Sequence, residues 1–118
     1  MKKEYVFFII PLLLLVDFFY LWKQPNNFIY DMLSILIPIY NYDCRSLVKD
    51  LHKQCTVSDI PFEIRLIDDC SDHFQKENQS LSTLQFVHFT ALSTNIGRSA
   101  IRNQLAQEAK YEYLLFID

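Results

Sequence analysis

From Met32 onward the chain alternates short apolar runs with amphipathic stretches. "LSILIPIY" (Leu33 to Tyr40) is nearly continuous in apolar, partly β-branched character, the pattern of a strand buried on both faces. Pro38 belongs at its carboxyl end, where a missing N–H is tolerated. In "RSLVKDLHKQC" the residues Leu47, Val48, Leu51 and Cys55 recur at helical spacing, with Asp43 available as a cap near the start. "FEIRLID" sets Phe62, Ile64 and Leu66 against Glu63 and Arg65, turns apolar at Ile67, and reads as a second strand ending at Asp68 and Asp69. "CSDHFQKENQSLST" is polar and predicts loop with a short helix, and "LQFVHF" a modest third strand. Ser93 to Gly97 form a turn, Arg98 to Ala109 a helix burying Ile101, Leu105 and Ala109, and "YLLFI" from Tyr113 a last strand. The expected class is α/β: strands joined through helices make right-handed crossovers and a mostly parallel sheet with flanking helices. Ligands of such sheets gather beyond the carboxyl ends of the strands. Here those ends carry Pro38, Tyr40 and Asn41, then Asp68 and Asp69, then Thr94 to Gly97, then Asp118.

Residues 1–31 do not share this alternation and form a separate apolar leader, leaving 32–118 as the domain. Tyr5 to Trp22, "YVFFIIPLLLLVDFFYLW", predicts an apolar helix and a marginal membrane span. Pro11 would kink it, and Asp17 would cost about 2.5 to 3.5 kcal/mol at mid-bilayer. Lys2 and Lys3 before it and Lys23 after it point the amino terminus weakly into the cytoplasm. Two other readings stand beside the span. One is a signal peptide, although no small-residue cleavage site follows; the other is upstream sequence preceding a true start at Met32.

Composition narrows the partners. At 118 residues, with 51% apolar residues and a formal net charge of −3, the chain suits one domain and excludes a disordered polyampholyte or a basic nucleic-acid binder. Cys44, Cys55 and Cys70 lack the paired spacing of a zinc site and read as reduced packing residues. His52, His73 and His88 share no metal spacing either. Gly97 is the single glycine, so neither G-x-G-x-x-G nor G-x-x-x-x-G-K is present. A phosphate site must then use the start of the Arg98 helix, whose free N–H groups and dipole favour an anion, with Arg98 and Arg102 one turn apart. The same pattern also describes a helix start with solvated arginines. Asp68 and Asp69 suit a base N–H or a metal, and equally a turn cap. Too few residues follow them to complete the receiver domain of a signalling protein. Tyr40 offers a ring that stacks on a flat ligand or packs half-buried.

Taken in order and spacing, "LSILIPIYN", "FEIRLIDDCSD", "NIGRSAIRNQLA" and "YEYLLFID" resemble the nucleotide-binding half of family 2 glycosyltransferases with the GT-A (Rossmann-like) fold. The resemblance covers Leu33 to Asp118 and implies transfer of a sugar from a UDP- or dTDP-sugar to a glycan or lipid-linked glycan acceptor, with inversion and a divalent metal, Mg or Mn, in polysaccharide or glycoconjugate synthesis. By motif, Pro38 and Tyr40 match residues flanking the base, and Asp69 matches the carboxylate that reads an imide N–H. Asn95, Gly97, Arg102 and Asn103 match the segment beside the diphosphate, and Asp118 matches the first acid of a D-x-D motif facing ribose and metal. Cys70 replaces the glycine common after the acid pair, a tolerable change unless φ there is positive. With Asp118 as the last residue, the second acid, acceptor pocket and catalytic base are not in this sequence. The expectation is therefore a donor-binding portion with little turnover of its own. The alternative is a truncated or degenerate, non-catalytic domain that binds nucleotide weakly or is membrane-tethered. Because a span would place the pocket away from the cytoplasmic donor pool, the expected location is cytoplasmic, at most at the inner face of the membrane. The last strand, lacking later neighbours, is expected to leave an adhesive edge.

Overall fold

Parallel strands need cover on both faces, and the order of apolar segments along the chain supplies it. The computed structural model describes residues 4–7 and 33–118. Its elements are β1 (Glu4–Phe7), β2 (Leu33–Ile39), α1 (Arg45–Ser58), β3 (Phe62–Asp68), α2 (Gln75–Gln79), a 3₁₀ turn (Ser80–Thr83), β4 (Val87–Ala91), α3 (Arg98–Glu108) and β5 (Tyr113–Phe116). The strands lie in the order β1-β5-β2-β3-β4, with every neighbouring pair parallel. The α/β class expected from the sequence is the fold observed.

Each helix buries the stripe its spacing dictates. Val48, Leu51 and Cys55 of α1 pack with Ile35, Ile37, Phe62, Ile64 and Leu66 on one face of the sheet. Ile101 and Leu105 of α3, with Ala109 just after it, pack with Leu36, Ile67, Leu114 and Phe116 on the other. Adjacent strand residues point to opposite faces, so β2 divides its apolar side chains between the two layers. Asp43 caps α1 from one position further out than a standard cap, its Oδ1 accepting the Arg45 N–H at 3.1 Å. The Arg45 guanidinium beside it holds the Asp43 carboxyl at about 2.

The structure departs from the sequence reading in three places. β4 starts at Val87 rather than Leu84, because the N–H groups of Leu84 and Val87 donate to Leu81 and Leu84 in turns and Phe86 adopts φ 68°. Glu63, expected on a polar face, is buried: its Oε1 accepts from Ser34 Oγ (2.7 Å) and Lys110 N (2.7 Å), and its Oε2 from Arg65 Nε (2.9 Å). That knot ties the α3–β5 connection to the sheet. Glu4–Phe7, assigned to the leader, form a strand along the outer side of β5, so that edge is paired. The rest of the leader, and with it most of the expected apolar helix from Tyr5 to Trp22, lies outside the described residues. Among the described residues no helix is long and apolar enough to cross a membrane.

Two tight bends at the carboxyl ends of the strands contrast in residue choice. Gly97 has φ 87° and ψ 158°, a region open in practice only to glycine. A Cβ there would meet nothing within 4 Å, so the constraint is the backbone angle and not crowding. Cys70 has φ 61°, the positive value that makes the missing family glycine costly. Gly97→Ala is expected to lower stability by about 1–3 kcal/mol, and Cys70→Gly to raise it by about 0.5–1 kcal/mol. Equilibrium urea unfolding of the two variants checks the opposite signs. Burial also pushes the thiols of Cys44 and Cys55 up to about 12. A thiol reagent should therefore label Cys70 rapidly in the native chain, and Cys44 and Cys55 only after unfolding.

Candidate functional site

The chain runs β2, β3, β4 in one direction across the sheet, then returns past β2 to place β5 on its other side. The connection leaving β2 runs over one face of the sheet and α3 begins on the opposite face at the same, carboxyl end of the strands, leaving a crevice between them beside β2 and β5. Pro38 widens it. The Ile39 carbonyl accepts from Asp69 N–H on the β3 side, and the Leu36 carbonyl from Ile117 N–H on the β5 side. Pro38 shares the parity of Leu36, so its missing donor falls on the β5 side, where the ladder stops at Leu36↔Phe116.

A cavity of about 530 Å³ fills this crevice, lined by Pro38, Ile39, Tyr40, Asp69, Asn95, Gly97, Arg98, Ile101 and Asp118. Seven of the residues singled out from the sequence, Pro38, Tyr40, Asp69, Asn95, Gly97, Arg98 and Asp118, line it together. Arg102 does not line it, and Asn103 is exposed outside it. Arg98 does line it, although the motif comparison carried only Arg102. The signal for Arg98 is its place in the first turn of a helix whose start faces the strand ends.

Asp69 organises the cavity wall. Its Oδ1 accepts the Ile96 N–H at 2.8 Å and its Oδ2 the Gly97 N–H at 3.0 Å, while the Asn95 amide donates to the Asp69 carbonyl at 3.1 Å. The residue is 5% exposed. Hydrogen bonds to a charged acceptor contribute about 1.5–3 kcal/mol each, enough to hold Gly97 in its unusual conformation. A carboxylate has roughly four acceptor positions, so the two amides leave capacity for a ligand N–H. Asp68 turns the other way, its Oδ2 accepting from Ser71 N (2.8 Å) and Gln75 Nε2 (3.2 Å). Of the adjacent pair, then, Asp68 takes the turn-forming role and Asp69 the cavity.

Tyr40 is 56% exposed and lines the rim of the crevice. The next residue fixes its loop: Asn41 N–H donates to Ser71 Oγ (2.8 Å), and Asn41 Oδ1 accepts from Asp72 N (2.8 Å) and His73 N (3.2 Å). In the sequence Asn41 is a strand-end residue without a site role; its part is to lace the Tyr40 loop to the loop after Asp69.

At the opposite wall, Asp118 Oδ2 meets Arg98 Nη2 at 2.6 Å and Arg102 Nη1 at 3.0 Å. The two arginines differ in freedom. Arg102 is 27% exposed and its guanidinium lies 4.8 Å from the centre of the Phe116 ring, whereas Arg98 is 65% exposed. Among the described residues no side chain caps the start of α3, so its first-turn N–H groups lack a side-chain acceptor there. Together with Arg98 they form an anion-attracting corner. For a divalent metal the fit is poor: among the described residues no three His, Cys, Asp or Glu side chains cluster, and Asp118 is shared between two guanidinium groups. One carboxylate in that state does not make a metal site.

Comparison with known proteins agrees with this geometry. An uncharacterized glycosyltransferase of Haemophilus influenzae is 35% identical over 89 residues, 74% of this chain and 29% of the relative. The crystal structure of S. aureus TarS 1–349 in complex with UDP superposes with a TM-score of 0.62 at 29% identity, over 74% of this chain and 27% of that one. S. aureus TarS 1–349 alone gives a TM-score of 0.57 at 27% identity, over the same shares. The chain thus spans less than a third of the length of these relatives. With the family model described as Glycosyl transferase family 2 matching residues 34–118, and the GT-A-type sheet and strand-end crevice in place, the chain belongs to glycosyl transferase family 2.

Proposed function

We propose that the crevice binds the nucleoside diphosphate portion of a sugar donor, as the donor-binding part of a glycosyltransferase that moves the sugar to a glycan or lipid-linked glycan hydroxyl. One observation carries this reading: a carboxylate with acceptor capacity left, an uncapped helix start and an exposed arginine surround a single cavity of about 530 Å³. The three features match the parts of such a ligand in order. The base enters between the Tyr40 ring and Asp69, whose remaining acceptor positions suit the imide N–H of uracil or thymine. The diphosphate lies on the first turn of α3, where N–H groups and the helix dipole favour negative charge.

Arg98 is the group that moves. It is exposed and held only at its tip by Asp118, so it can exchange that carboxylate for a phosphate oxygen. Arg102, seated on Phe116, stays with Asp118 and keeps the strand end in place. The UDP held by the related TarS fragment supports the choice of ligand class. Members of the family generally use a divalent metal, but the described residues do not build a site for one. The domain is proposed to work in the cytoplasm, where sugar nucleotides are made. No described residue is assigned as the base that deprotonates the acceptor.

Calorimetry tests the assignment. The chain should bind UDP more tightly than uridine, and Arg98→Ala should weaken UDP about tenfold, the loss of one charge-assisted contact, while uridine affinity changes less than about twofold. Equal losses for both ligands would remove Arg98 from the diphosphate.

A further inference from the structure

Asp69 bonds to two consecutive backbone amides, Ile96 N–H and Gly97 N–H, that lie immediately before α3. The geometry points to a second task for this side chain, resting on the nucleotide reading above: we infer that Asp69 is a positioning residue for the diphosphate, acting through the 95–97 backbone, in addition to facing the base. The carboxylate stops short of the helix itself. It takes the amides of Ile96 and Gly97, and it leaves the N–H groups of Arg98, Ser99 and Ala100, the first helical positions, for a ligand.

Three bonds converge on this one residue: two amides on its carboxylate oxygens and the Asn95 side chain on its carbonyl. The segment they hold carries φ 87° at Gly97, a residue with no side chain of its own to secure it. Without the second carboxylate oxygen, one amide loses its partner and the start of α3 loses a fixed direction. The cradle is then formed only part of the time, and any anion that uses it binds more weakly in proportion.

Electrostatics alone predicts the opposite, which makes the idea testable. Asp69 is a negative charge in the wall of the cavity. If it served only to read the base, replacing it with neutral Asn would leave inorganic pyrophosphate, which has no base, unaffected or bound more tightly. If it positions the helix start, pyrophosphate binds more weakly despite the lost repulsion.

The experiment compares the wild-type chain with Asp69→Asn, using inorganic pyrophosphate, uridine and UDP as probes in calorimetry, on protein that is folded by circular dichroism. Gly97 is the only glycine, so labelling with ¹⁵N-glycine gives one amide signal that reports on the Gly97 N–H directly. Expected in wild type is a downfield amide proton that exchanges slowly with solvent, as for a bond to a carboxylate. In Asp69→Asn that proton should move upfield and exchange faster, and pyrophosphate affinity should fall about tenfold, corresponding to a cradle formed about a tenth of the time. Pyrophosphate affinity that is unchanged or raised overturns the inference, and so does a Gly97 signal that does not move. Should Asp69→Asn fail to fold, Asp69→Ser is the second variant, and rapid wild-type exchange at Gly97 would by itself refute the clamp. A wild-type chain that binds neither UDP nor pyrophosphate ends the nucleotide reading and the inference with it, while the Gly97 signal still tells whether the clamp exists.

Discussion

A carboxylate that accepts two consecutive backbone amides fixes the direction in which the backbone leaves them, and in this chain the backbone leaves them as α3. Asp69 stands at the end of β3 and reaches across to Ile96 and Gly97, so the start of the helix is set by the sheet and not by its own loop. That direction determines the side of the crevice on which Arg98 emerges, the distance at which it meets Asp118, and the floor that Ile101 provides. The arrangement also needs the strand order. Only because β5 lies on the far side of β2 does Asp118 face the helix start across an open gap, which Pro38 keeps from being closed by a further ladder bond.

The two ends of the sheet use polar residues in opposite ways. At the amino ends of the strands, Ser34 and Glu63 stand side by side in register, and their oxygens are taken up by each other, by Arg65 and by the amides of Lys110 and Tyr111. Buried polar groups in such a state hold the fold and offer little to a ligand. At the carboxyl ends, Asp69 keeps acceptor capacity, α3 starts without a side-chain cap, and Arg98 is exposed. Unspent hydrogen-bonding capacity beside an apolar floor is the condition a small polar ligand requires. The difference between the ends therefore marks the carboxyl end as the candidate site without reference to any relative.

Much of this was legible in the residues. The strands at Leu33 and Phe62, the face of α3 with Ile101, Leu105 and Ala109, and the gathering of Pro38, Tyr40, Asp69, Asn95, Gly97 and Asp118 all derive from spacing and from where parallel strands end. The features that escaped depend on contacts between distant segments. Glu63 looked solvated because alternation cannot show that Ser34 and the Lys110 amide converge on it. Arg98 and Arg102, four residues apart, are equivalent on a helical wheel; the Phe116 ring beneath one of them tells them apart. Spacing alone left the adjacent Asp68 and Asp69 equivalent, and only the family resemblance singled out Asp69; the structure turns Asp68 to Ser71 and Gln75 and sets Asp69 in the cavity wall. Nor does the apolar character of the leader announce that Glu4–Phe7 pair with β5.

The most direct test of the central claim is a map of where a nucleotide touches the chain: backbone amide shifts of the ¹⁵N-labelled protein, followed through a titration with UDP. The account predicts that the largest changes fall at residues 39–40, 69–70, 95–98 and 118, around the end of β2 and the start of α3. Changes confined to the connections at 59–61, 84–86 and 109–112, at the other end of the strands, would contradict it, as would a spectrum that saturating UDP leaves unaltered.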